Sequence, residues 1–82
     1  MMDNITEQSK EIFKGLMQLE TVAEKDYSKS LKTHFNMDSL EMINLIVNLE
    51  ESFDFEFEDE DLLFTSETSL LDIISIIRKR IN

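Results

Sequence analysis

Ser39, His34 and Asp38 are the residue types of a hydrolase triad, in which an imidazole oriented by a carboxylate activates a hydroxyl nucleophile. Their spacing argues against that chemistry. All three crowd into positions 34 to 39, at what reads as a loop-to-helix junction. A triad needs side chains that converge from separate elements beside an oxyanion site. His34 is expected to lie on a surface loop. Asp54, Glu56 and Glu58 imitate the first ligands of a calcium loop, but Asp59 replaces the turn glycine and Thr65 stands where the bidentate glutamate belongs. No metal site is expected. What remains is a serine in the first turn of a helix, directly after an aspartate. On its own that pattern is a helix start: in Asp38-Ser39-Leu40-Glu41 the Asp carboxylate can accept from the third helical amide while Glu41 reaches back.

The elements that position this serine follow from periodicity. Ile5, Ile12, Leu16 and Leu19, widened by Phe13 and Met17, predict an amphipathic helix over Asn4 to Leu19, with Asp3 or Asn4 as its cap. From Glu20 to Met37 the period fades, and Val22, Tyr27, Leu31 and Phe35 pin a long packed loop. A second helix is expected from Asp38 to about Ser52, with two apolar stripes. Met42, Leu45, Ile46, Leu49 and Phe53 form one, and Leu40, Ile43 and Val47 the other. One core face does not require both, so the second is expected to be partly exposed for a partner. Residues 53 to 58 alternate strictly between Phe and acid, but no second strand exists to pair with them. An extended loop driving alternate Phe rings into the core is expected instead. Asp59 to Phe64 suits one short helical turn, and Thr65 to Ser69 offers several caps for a final helix over about Ser69 to Ile81. That helix carries Leu70, Ile73, Ile74, Ile77 and Ile81 inward and ends on Arg78, Lys79 and Arg80, where its dipole favours cations.

Composition narrows the class. The 82 residues carry a net charge of −10, with one Gly, no Pro and no Cys. The absence of cysteine excludes disulfides, thiolate metal sites and a cysteine nucleophile, and suits a reducing cytoplasm. The charge disfavours nucleic acid. The apolar runs fall far short of the ~20 residues needed to span a bilayer, and no signal peptide is legible. One domain spanning 1–82 is expected, burying only about 60–65% of its unfolded surface. A substrate-enclosing pocket would consume much of that core, so an adaptor, inhibitor or carrier is expected before a self-sufficient enzyme. Residues 33 to 77 hold no Lys or Arg but 12 of the 18 acids. This makes a lasting negative field that favours encounter with basic partners.

The segment Phe35-Asn36-Met37-Asp38-Ser39-Leu40-Glu41, followed by Leu49-Glu50-Glu51, Phe53, the acids from Glu56 to Asp61 and the apolar run Leu70 to Ile77, resembles the acyl carrier protein family over nearly the whole chain. The resemblance implies an all-α, acyl-carrier-like four-helix bundle with a short third helix and a long loop between helices 1 and 2. It implies that Ser39 is the attachment point of 4′-phosphopantetheine, transferred from coenzyme A by a separate magnesium-dependent phosphopantetheinyl transferase. The arm's thiol would hold acyl groups as thioesters, so that a chain without cysteine does thiol chemistry on a borrowed thiol. Asp38 would help place the modifying enzyme. Leu40, Ile43 and Val47 would face partners, and Glu41, Glu50 and Glu51 would meet Arg and Lys on acyl-loading and acyl-transferring enzymes.

Where the family usually has a Gly, two residues before the aspartate, this chain has Asn36, which tolerates left-handed backbone. Asn44 and Asn48 replace acids frequent in fatty-acid carriers, and Glu58 replaces a usual Pro. These differences lean toward a dedicated carrier in a specialised pathway, such as polyketide or hybrid peptide synthesis, over a housekeeping fatty-acid carrier; a monomer in the cytoplasm is expected. Two alternatives stand beside it: an aminoacyl or peptidyl carrier of nonribosomal peptide synthesis, and a cofactor-free acidic adaptor or inhibitor.

Overall fold

Asp38 starts the central helix as its sequence promises. In the computed structural model, which describes residues 4–81, its extended backbone leads into α2, Ser39–Phe53. Its Oδ1 accepts from the Glu41 N–H at 2.8 Å, while Glu41 Oε1 accepts from the Asp38 N–H at 3.0 Å. This reciprocal box satisfies two of the amide donors that a helix start leaves without partners. Ahead of α2 stands α1, Asn4–Leu16, and after it α3, Leu70–Ile81. The Asp3 cap considered for α1 lies outside the described residues.

Among the described residues the chain is all-helical, with three α-helices and two short 3-10 turns at Glu24–Asp26 and Asp59–Leu62. The expected short third helix is thus a single 3-10 turn. Asp59, Glu60 and Asp61 stand in succession in its first turn. The first turn, inside the long loop, carries no periodic signal and was not expected. α1 packs on both α2 and α3. The 11.7 Å radius of gyration equals the value of about 12 Å for a compact chain of this length, so the loops lie folded onto the helices.

α1 stops at Leu16, three residues before its apolar pattern ends. Gln18 takes a left-handed conformation, φ 56°. Its N–H donates to the Gly15 carbonyl and the Leu19 N–H to the Lys14 carbonyl, the paired closure of a Schellman motif. Gln rarely occupies that position, so the stop left no Gly or Asn to read. The enclosed face of α1 is centred on Ser9 and Phe13, while Ile5, Ile12, Leu16, Met17 and Leu19 are only partly buried. Ser9 Oγ is buried without a hydrogen-bond partner among the described residues. An unsatisfied buried hydroxyl is unfavourable and Ala is the better helix former, so Ser9→Ala is expected to stabilise the fold by about 1 kcal/mol. Thermal unfolding followed by circular dichroism should show a rise of roughly 4–8 °C.

The loop over residues 17–38 is packed as expected, with Val22, Tyr27 and Leu31 buried and Phe35 meeting Phe13 edge-on at 4.9 Å. Backbone bonds tie it to the start of α3: Leu31 N–H to the Thr68 carbonyl at 2.9 Å and Leu71 N–H to the Tyr27 carbonyl at 3.0 Å. Ser30 Oγ also donates to the Ser66 carbonyl. Of the candidate caps for α3, buried Ser69 closes a box with Asp72, its N–H donating to Asp72 Oδ2 at 2.9 Å and its Oγ accepting from the Asp72 N–H at 3.2 Å. Leu70, Ile73, Ile74 and Ile77 are enclosed. Ile81, expected inward, is 37% exposed because it is the helix's last residue, one turn beyond the enclosed Ile77.

The acid–Phe segment forms no strand. Phe57 is buried and Phe53 and Phe55 half-buried, and the rings of Phe55 and Phe57 pack 4.8 Å apart. Asp54, at φ 54°, ends α2 in the left-handed region, with its own N–H and that of Phe55 both donating to the Glu50 carbonyl.

Candidate functional site at the start of α2

Two local features deliver Ser39 to the surface. Asn36 adopts φ 58°, the left-handed turn that Asn accommodates, and buried Met37 donates its N–H to the Leu31 carbonyl at 3.0 Å. The chain therefore reaches Asp38 anchored and extended. Ser39 follows as the first residue of α2, exposed, and its hydroxyl has no hydrogen-bond partner among the described residues. An oxygen there lies at the positive end of the helix, beside amides without intrahelical acceptors, where a covalently attached phosphate is electrostatically favoured.

His34 takes no part in activating this hydroxyl. Its Nε2 faces Asp26 Oδ1 at 3.8 Å and its ring edge packs on Phe35. Asp38 keeps one carboxylate oxygen in the helix cap and leaves the other without a partner among the described residues.

The two stripes of α2 separate as their spacing predicts. Met42, Leu45, Ile46 and Leu49 are buried, whereas Leu40, Ile43 and Val47 are 66%, 58% and 45% exposed. At i, i+3 and i+7 these three share one face, so an apolar ridge runs along α2 from the residue after Ser39. Of the three acids singled out with them, Glu51 alone has no hydrogen bond or ion pair among the described residues. Glu41 is held in the cap box, and half-buried Glu50 accepts from the Phe57 N–H at 2.9 Å. Glu50 thus anchors the acid–Phe segment, a role that its place in an acidic run concealed.

An apolar cleft of about 230 Å³ opens beside the ridge. Met42, Ile43, Ile46 and Val47 of α2 form one wall, and Leu62 and Phe64 the other. The second wall is tied to α3 by Arg80. Its Nε donates to Asp61 Oδ2 at 2.7 Å, and its terminal nitrogen to Asp61 Oδ1 at 2.9 Å and Glu60 Oε1 at 3.1 Å. Sequence spacing held no signal for this pairing, or for Leu62 and Phe64 as a wall.

The Arg80 hydrogen bonds hold the Asp61 carboxyl below its ordinary value of 3.8 and raise the Arg80 guanidinium further above its own. A carboxyl lowered by folding contributes stability in full above its unfolded value and loses it as pH falls through the folded one. The urea-midpoint difference between the native chain and Asp61→Asn should therefore be flat above about pH 5 and narrow below about pH 4.

No family model matches this chain, and no curated protein matches it. Among the described residues no helix is long and apolar enough to cross a membrane.

Proposed function

We propose that this chain is a discrete acyl carrier protein, with 4′-phosphopantetheine attached to Ser39, and that it delivers acyl intermediates between biosynthetic enzymes of a specialised polyketide-type or fatty-acid pathway in the cytoplasm. The observation that carries this reading is the exposed, unpartnered hydroxyl of Ser39 at the head of the Leu40, Ile43 and Val47 ridge. In this reading the Asp59–Leu62 turn takes the place of the short third helix of the four-helix bundle.

Ser39 Oγ bonds to the phosphorus of the pantetheine phosphate as the pyrophosphate link of coenzyme A breaks. Adenosine 3′,5′-bisphosphate leaves, and the hydroxyl proton passes to the transferase or to water. When bound, the group supplies a thiol on a flexible arm, where acyl cargo is held as a thioester. The chain's own residues position and present. Asp38 fixes the helix start and keeps a free carboxylate oxygen beside the serine for the magnesium-dependent transferase. The ridge docks apolar surface, and Glu51, with the outer oxygens of Glu41 and Glu50, attracts basic partner surfaces. Nothing in this arrangement asks the chain to act as an enzyme.

Incubation with coenzyme A, magnesium and a broad-specificity phosphopantetheinyl transferase, read by intact mass, tests the assignment. Binding to a basic protein that survives Ser39→Ala, with no modification of the native chain, would favour the acidic adaptor instead.

A further inference from the structure

Between buried Phe57 and buried Ser69 no residue as a whole is buried, although the Asp61 side chain is only 6% exposed under Arg80, and Leu63 in this stretch is 78% exposed. Half-buried Phe64 gives it some apolar hold, but the Asp59–Leu62 turn itself is fastened through polar groups. The Glu58 N–H donates to Asp61 Oδ2 at 2.9 Å, and the Arg80 guanidinium grips Asp61 with two bonds and Glu60 with a third. Immediately after that grip come Leu62 and Phe64, the outer wall of the apolar cleft. The opposite wall belongs to α2, whose buried stripe fixes it in the core. One wall is therefore rigid, and the other is held by a clasp from α3. The cleft, at about 230 Å³, falls below the roughly 300 Å³ at which pockets begin to enclose a drug-sized ligand. Its six lining side chains are all apolar, so it suits a neutral hydrocarbon group and disfavours a charged one. A larger group fits only if the Leu62 and Phe64 wall moves out.

We propose that Arg80 is a specificity-determining residue: by clasping Asp61 and Glu60 it fixes the width of the cleft between α2 and the Asp59–Leu62 turn, and so sets the size of apolar group that the protein shelters. That the group is carried cargo rests on the acyl-carrier reading; the clasp itself does not. Planar, bidentate guanidinium–carboxylate pairing suits Arg to this task, since it fixes orientation as well as distance.

The test uses the unmodified full chain, hydrogen exchange by mass spectrometry, and the neutral apolar dye Nile red. Arg80→Gln and Asp61→Asn break the clasp from opposite sides and change the net charge in opposite directions, while Lys79→Gln removes a neighbouring charge that attracts Asp61 through space but makes no bond to the turn. Arg80→Gln and Asp61→Asn should each speed exchange over residues 59–65 by about tenfold or more while α1 and α2 change little. Both should tighten Nile red binding, and Lys79→Gln, which removes attraction but no bond, should change either readout far less. Unchanged exchange over residues 59–65 in either clasp variant overturns the proposal. So does acceleration spread evenly over the chain, which would make Arg80 a general stability residue, or an equal effect from Lys79→Gln. Should Arg80→Gln fail to fold, Asp61→Asn alone decides. A chain that refuses modification at Ser39 but shows the local opening keeps the clasp and loses only the cargo. Normal modification with no local opening keeps the carrier and loses the clasp.

Discussion

Phe13→Ala should remove a large share of the stability of the fold. The ring is fully enclosed and stands edge-on to Phe35 at 4.9 Å, joining α1 to the long loop that delivers the chain to Ser39. Truncating an enclosed Phe costs about 3–5 kcal/mol, through lost transfer free energy and the cavity left behind. A domain of this length has a total stability of roughly 4–12 kcal/mol. The loss is therefore a large share of what holds the fold, and at the bottom of that range it removes it. Urea unfolding followed by circular dichroism is the measurement. A midpoint that moves by the equivalent of less than about 1 kcal/mol would mean that Phe13 is not the centre of the core.

Leu40→Asp should separate function from stability in the opposite sense. Leu40 is 66% exposed in the first turn of α2, so truncation opens no cavity, and an acidic residue there faces the positive end of the helix. Stability should stay within about 0.5 kcal/mol of the native chain. If the ridge beside Ser39 is the docking surface, placing a charge where an apolar anchor seats costs about 2 kcal/mol of binding, roughly a thirtyfold fall in kcat/KM for modification by the transferase. A variant that melts like the native chain and is modified at the native rate would mean that partners do not read this ridge.

Reading from sequence succeeded where one residue's chemistry decides a local geometry. The Asp38 and Glu41 box, the left-handed Asn36 and the split between the two stripes of α2 are of this kind. Alternating Phe and acid residues could be assigned to a packed loop, because no pairing strand exists elsewhere. The all-helical class follows from the same features. Reading failed where tertiary context overrules type. Ser9 sits at the centre of the enclosed face of α1, which no hydrophobic periodicity can register, and Gln18 ends that helix in a conformation that normally signals Gly. Asp61 and Arg80 are 19 residues apart, so neither a helical nor a strand period relates them. Glu50 reads in sequence only as an acid for basic partners, yet one of its carboxylate oxygens is fixed by the Phe57 amide. Around the candidate site, the exposure of Ser39 and of Leu40, Ile43 and Val47 was legible because one helical period relates them, while the second wall of the cleft arrives from a segment whose path only the fold reveals.

The central claim is that Ser39 carries the arm, and intact mass measures it directly. The native chain and Ser39→Ala are incubated side by side with coenzyme A, magnesium and a broad-specificity phosphopantetheinyl transferase, with a known carrier as control. The carrier reading predicts that the native chain gains the mass of one phosphopantetheine, that fragmentation places it on Ser39, and that Ser39→Ala gains nothing. A folded native chain that stays unmodified while the control is converted, or a gain that persists in Ser39→Ala, would contradict it.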